Sequence, residues 1–264
     1  MGEIITIASG KGGVGKTTLT ANLGISLSEL GFTVLLIDAD IAMSNLSLLV
    51  GLDNPPITLH DVLLGSSSAQ DATYDGPNKI KIIPSGLSIS NYQRVDVERL
   101  ISVVKSLISD YDFILIDAPA GIDKNVISAI SASTQVLLIT EPTSPSVADV
   151  FKVKIVCERL NQKVMGVIVN KVSDLKGEIS EKEIMKMLEI PSYGKIPYSA
   201  DIRESFLLKK ITPTIIHNPT SESANAFRYI ARRISGKEVE IKEQKKGIGF
   251  FGFLKRIFSK KVKK

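Results

Sequence analysis

Apolar residues in this chain follow two rhythms. One is the short unbroken run, seen at residues 4–7 (IITI), 33–37 (TVLLI), 79–83 (KIKII), 113–116 (FILI), 136–139 (VLLI) and 164–169 (VMGVIV). Runs of this length without polar alternation predict strands covered on both faces, as in parallel sheets. The other rhythm is helical. Residues 17–30 keep apolar positions three and four apart and stop at Gly31, a residue suited to ending a helix. The segment VFKVKIVCERL and residues 202–209 and 221–234 repeat that spacing, with a last strand over 193–197. Strands alternating with helices predict an α/β fold, a mostly parallel, doubly wound sheet flanked by helices, with ligands beyond the carboxyl ends of the strands. Residues 54–78 mix Pro, Gly and Ser around a short apolar helix at 59–64 and read as an excursion over the surface.

Composition narrows the function classes. At 264 residues and 44% hydrophobic content the chain can bury a sizeable core. Its single Cys157 excludes an internal disulfide framework and a cysteine-held cluster, and points to a reducing, cytoplasmic setting. Two histidines are too few for a histidine metal site. Net charge is +5 but unevenly placed: residues 237–264 hold ten Lys/Arg and three Glu, which leaves the body slightly acidic. The chain therefore divides into a folded domain at 1–236, a charged linker at 237–247 and a basic tail at 248–264. A body without basic excess argues against nucleic acid as a partner.

The first strand opens into Gly10-Lys11-Gly12-Gly13-Val14-Gly15, and a helical pattern begins near Lys16, Thr17 and Thr18. The spacing satisfies G-x-x-x-x-G-K-[ST], in which backbone N–H groups cradle phosphates, the lysine reaches the terminal phosphates and the hydroxyl goes to Mg²⁺. Placed between a strand and a helix, the pattern predicts binding of a nucleoside triphosphate. Asp117 closes the run at 113–116, the position of a carboxylate that holds Mg²⁺ directly or through water. Asp38 and Asp40 end the run at 33–37; Asp38 is either a further carboxylate on the metal side or a loop hydrogen-bond acceptor. Asn170-Lys171 follows the run at 164–169, but Ser173 stands where a guanine-specific N-K-x-D motif has its carboxylate, so the base expected is adenine. No arginine lies near these loops in sequence, so none is expected to reach the phosphates from the same chain.

Lys11 is a second lysine inside the loop. With it, KGGVGKTT resembles the deviant phosphate-loop signature of the MinD/ParA family of P-loop ATPases. The resemblance extends to Asp38-Ala39-Asp40 as switch I, with Asn45 also matching, and to Asp117-Ala118-Pro119-Ala120-Gly121 as switch II. Ala42 and Ser47 depart from the family's usual Gly and Asp. The resemblance implies that Lys11 crosses a dimer interface to the partner's nucleotide and that Asp40 helps activate the attacking water. It also implies that Asn170 and the backbone near Pro197 and Tyr198 hold the adenine. A homodimer closed around two Mg-ATP follows, with hydrolysis slow in the monomer and faster after pairing. The nitrogenase iron protein shares the loop but needs paired cluster cysteines, absent here.

The tail adds a surface. At about 100° per residue, Phe250, Phe251, Phe253, Leu254, Ile257 and Phe258 cover roughly 160° of arc, opposite Lys255, Arg256 and Lys260. Bulky apolar residues facing lysines predict an amphipathic helix that lies in a membrane interface, on the inner face of the cell membrane given anionic lipid. Burying six such side chains contributes on the order of 10 kcal/mol gross. Ordering the peptide, at about 1–2 kcal/mol per residue, offsets most of it. One copy would bind weakly and two tethered copies far better. The family resemblance further implies protein partners, such as a division inhibitor or an activator of hydrolysis.

Overall fold

The computed structural model describes residues 2–41, 44–86, 98–208 and 211–237. The tail anchor at 250–258, all of the linker after Lys237, and Ala42 lie outside the described residues. One eight-stranded sheet organises the rest, in the order β3-β4-β2-β5-β1-β6-β7-β8. Its strands are β1 (Glu3–Ala8), β2 (Val34–Asp38), β3 (Tyr74–Asp75), β4 (Lys81–Ile83), β5 (Phe113–Asp117), β6 (Gln135–Thr140), β7 (Lys163–Val172) and β8 (Ser192–Pro197). All neighbours pair in parallel except β3, which runs antiparallel to β4 at one edge.

The unbroken apolar runs are explained by the two cores. Ile5, Ile7 and Leu36 face one cluster, where the helices Lys16–Glu29 and Glu222–Ile234 supply Leu19, Leu23, Phe227 and Ile230. Ile4, Leu35 and Ile37 face the other side, under the helix Arg99–Leu107, and further along the sheet Val136 and Leu138 pack against the helices Lys124–Ser131 and Ser144–Arg159. Residues of the central strands β1, β2, β5 and β6 thus meet a helix whichever way they point and need no alternation, whereas the edge strand β8 alternates. Cys157 is fully buried in that second layer, and burial pushes its thiol up to about 12, so it is a packing residue.

Three expectations change. The surface excursion at 54–78 is in fact anchored: Leu59, Val62, Leu63 and Ala72 are buried in the core with Ile83 and Leu100. The Thr58–Asp61 capping box starts its short helix, whose four apolar positions in six residues bury one side. The run expected at 79–83 is a strand only from Lys81, because Asn78 and Lys79 adopt left-handed backbone, with φ 54° and 66°. The helix expected at 202–209 begins at Ala200, where Ser199 caps it by accepting from the Asp201 N–H. Among the described residues no helix is long and apolar enough to cross a membrane.

Candidate functional site

Parallel register sets the site. Ile7 of β1 lies beside Asp117 of β5, and Asp117 lies beside Asp38 of β2, so the strand ends deliver both carboxylates next to the loop that follows β1. That loop needs its glycines for different reasons. A Cβ on Gly10 would sit 2.3 Å from the Asp149 carbonyl oxygen, so the helix Ser144–Arg159 packs directly on the backbone there. Gly15 has φ +99°, and a Cβ on it would meet Asn170 Nδ2 at 2.4 Å. Gly15 is also the N-cap of the helix Lys16–Glu29; no side chain caps that end and its first turn holds no acidic residue. The amides and the positive end of the dipole are left for an anion.

Lys16 is buried, and its Nζ donates to Ser9 Oγ at 3.1 Å while Ser9 Oγ donates to the Lys11 carbonyl at 2.8 Å. Burial lowers its pKa; Asp117 and Asp40 oppose that shift. Asp117 is fully buried, accepts from Thr20 Oγ1 at 3.3 Å and is hydrogen-bonded by the Thr17 hydroxyl. Burial is the main cause that raises its carboxyl to about 6. Burial and the neighbouring Asp117 raise Asp38 further, to about 8. Asp38 Oδ1 accepts from the Asp40 N–H at 3.1 Å, and Oδ2 accepts from Ser44 Oγ at 2.9 Å and from the Leu46 N–H at 3.2 Å. These bonds fold the loop after β2 and account for Asp38 as an acceptor that aims Asp40.

A cavity of about 780 Å³ opens above these groups. Gly12, Gly13, Gly15, Lys16, Thr17 and Thr18 form one wall, Asp40 and Asn45 stand on the switch side, and Asn170, Pro197 and Tyr198 line the far end. Sequence-expected residues outside its lining have other places. Gly10 lies under Asp149, the Val14 side chain is in the core, Lys11 is exposed, and Asp38 and Asp117 are buried beneath.

The residues present fit Mg²⁺ and an adenine nucleotide. Among the described residues no three acidic, histidine or cysteine groups come together to hold a metal. A hard cation here would take the Thr17 hydroxyl, with Asp117 behind it, and phosphate oxygens, the arrangement Mg²⁺ favours. At the far end Asn170 Nδ2 donates to the Val14 carbonyl at 2.7 Å, whereas its Oδ1 is buried without a partner. A buried acceptor without a donor is costly. The exocyclic amino group of adenine would satisfy it; the carbonyl that guanine carries at that position would not. Arg203, exposed on the helix Ala200–Leu207, also lines the cavity, a position its place in the sequence does not suggest. It is far from every loop in sequence, and only the return of the chain through β8 brings it near.

The carboxylate pair makes stability depend on pH. Groups whose folded pKa is raised stabilise most below their unfolded value, near 4, and that contribution is lost as pH rises through about 6 for Asp117 and about 8 for Asp38. The thermal midpoint of nucleotide-free protein should therefore fall by several degrees between pH 5 and pH 8, and saturating Mg²⁺ with nucleotide should flatten that slope. Scanning calorimetry at fixed ionic strength checks this; a midpoint flat or rising over the window would show that the pair carries no strain.

A CobQ/CobB/MinD/ParA nucleotide-binding domain model matches residues 5–211. An uncharacterized ATP-binding protein of Methanocaldococcus jannaschii is 38% identical over 99% of this chain and 98% of its own length. Among solved structures, the cell division ATPase MinD of Pyrococcus furiosus superposes with a TM-score of 0.86 at 37% identity, over 90% of this chain and 100% of that one. The septum site-determining protein MinD of Pyrococcus horikoshii, complexed with Mg-ADP, gives 0.85 at 36% identity over 91% of this chain and 100% of its own. With that model matching residues 5–211 and a relative 38% identical over nearly the whole of both chains, the chain belongs to the CobQ/CobB/MinD/ParA nucleotide-binding family.

Proposed function

We propose that this chain is a MinD-like ATPase that pairs on binding Mg-ATP, docks on a membrane surface through its tail, and positions or recruits protein partners in division-site selection or a related placement task. The observation that carries the reading is the convergence of Lys16, Thr17, Asp40 and Asn170 on one cavity, with Lys11 exposed on the same loop. ATP is the substrate. Water attacks the terminal phosphorus, the bond to the bridging oxygen breaks, and ADP and phosphate leave. Lys16 and the loop amides neutralise charge on the phosphates, and Asp40 orients the attacking water and accepts its proton. Thr17, with Asp117 behind it, would hold Mg²⁺, which would supply neutralisation of phosphate charge. Lys11 of a second copy would add a cation that the single chain does not place there, so pairing accelerates turnover. Hydrolysis then separates the pair and releases it into the cytoplasm.

Membrane docking rests on the tail sequence and on arithmetic: one weak foot per chain, two per pair. The test is sedimentation with vesicles containing anionic lipid, with ADP, ATP and a non-hydrolysable analogue, for the full chain and for a truncation after Gly236. The full chain should pellet with ATP or the analogue and stay soluble with ADP, and the truncation should stay soluble throughout. Binding indifferent to nucleotide would contradict the switch, and a truncation that still pellets would contradict the anchor. Retention of ATP-loaded protein on duplex DNA instead of lipid would favour a DNA-partition role.

A further inference from the structure

Near its end β7 carries two adjacent residues that both reach the phosphate loop. Asn170 Nδ2 donates to the Val14 carbonyl, and Lys171 Nζ donates to the Gly13 carbonyl, each at 2.7 Å. The same Nζ lies 2.6 Å from Glu141 Oε1. Glu141 follows β6, where its own N–H donates to Ser146 Oγ at 3.0 Å, at the start of the helix Ser144–Arg159. Lys171 holds this position from a left-handed backbone, φ 59°. For a residue with a side chain that conformation costs on the order of 1 kcal/mol and persists only where surrounding structure enforces it.

The consequence follows from peptide geometry. A trans peptide carries its C=O and its N–H on opposite sides. With the Gly13 carbonyl drawn toward Lys171, the N–H of Val14 is turned the other way; with the Val14 carbonyl drawn toward Asn170, so is the N–H of Gly15. Gly13, Gly15 and Lys16 line the cavity, so the Gly13–Val14 and Val14–Gly15 peptides, each with one end on a lining residue, belong to the loop wall that an anion bound there would meet. Asn170 is already accounted for as the base contact; Lys171 and Glu141 are not. The ammonium of Lys171 is engaged on the loop carbonyl and on Glu141, which leaves it as the hand that holds the cradle.

We infer that Lys171, steadied by Glu141, is a positioning residue for phosphate binding, setting the orientation of the loop amides from the end of β7. The inference rests on the nucleotide reading above and adds a residue pair to it. The pair's side chains are 39% and 20% exposed, so screening leaves it little weight in folding, and its effect should show in phosphate affinity.

The test compares Lys171→Met, Lys171→Arg and Glu141→Gln with the wild type by calorimetric titration with Mg-ATP, thermal midpoint and steady-state hydrolysis. Lys171→Met should weaken Mg-ATP binding about tenfold, the scale of one charge-assisted hydrogen bond. KM should rise with it while kcat changes less than about threefold, and the midpoint should stay within about 3 °C. Lys171→Arg should recover most of the affinity, and Glu141→Gln should fall between. Unchanged affinity in Lys171→Met, an equal loss in Lys171→Arg, or a midpoint drop that tracks the affinity would overturn the positioning role and leave the nucleotide reading standing. Should Lys171→Met fail to fold, wild-type affinity in Glu141→Gln would be enough to overturn it. A wild-type protein that binds no Mg-ATP would overturn both.

Discussion

In a Lys16→Met variant, steady-state ATP hydrolysis should fall by at least about 100-fold, the scale of removing one preorganised charge-stabilising donor. Mg-ATP affinity should fall roughly 10- to 100-fold, since a hydrogen bond from a charged group contributes about 1.5–3 kcal/mol. The reason lies in what holds the lysine now. Its ammonium is buried against Ser9 Oγ with Asp117 and Asp40 in electrostatic range, so the folded chain maintains a desolvated cation at the head of the helix before any ligand arrives. A buried cation whose hydrogen-bond partner is a neutral hydroxyl gains further when an anion binds directly beside it. Methionine keeps the length of the chain and removes the charge, so loss of fold is not the expected outcome. Coupled-enzyme turnover and titration with Mg-ATP check both numbers, and turnover within tenfold of wild type would remove Lys16 from the phosphate site.

Asp40→Ala should separate binding from chemistry. Turnover should drop by about 100-fold or more, the usual contribution of a positioned general base. Mg-ATP affinity should change by less than about fivefold, because the cradle and Asn170 are untouched. Asp40 is held for this task from behind: its N–H donates to Asp38 Oδ1, and Asp38 is itself tied to Ser44 and Leu46. An Asp38→Ala change should therefore also slow turnover, through loss of the loop's shape. Single-turnover measurements with excess enzyme distinguish a slowed chemical step from slowed product release. A single-turnover rate near wild type in Asp40→Ala would take that carboxylate out of the mechanism.

Much of this site was readable from the residues because its chemistry is local. A strand, four glycines, two lysines and the Thr17-Thr18 pair lie within fifteen positions, and the backbone expected to bind phosphate is the backbone those glycines permit. Asp117 and Asp38 were readable for a related reason: each ends an apolar run, and parallel register then aligns run ends side by side. What escaped is whatever depends on the chain returning from far away. Lys171 donates to a carbonyl 158 positions earlier, and Arg203 lines the cavity only after β8 has been laid down. Nothing in the neighbourhood of either residue marks it, apart from the asparagine before Lys171. β3 escaped differently, since two residues are too few to show a period. The burial of the helix Leu59–Leu64 was masked by the Pro, Gly and Ser around it, although its apolar face was in plain view.

The most direct measurement is the molar mass in solution of the Asp40→Ala protein, by light scattering behind size exclusion, with Mg-ADP and with Mg-ATP. The expected result is a single 28.6 kDa chain with ADP and twice that mass with ATP, returning to one chain when Lys11→Ala is added. A protein that binds ATP and still elutes as one chain would contradict the claim that nucleotide joins two copies.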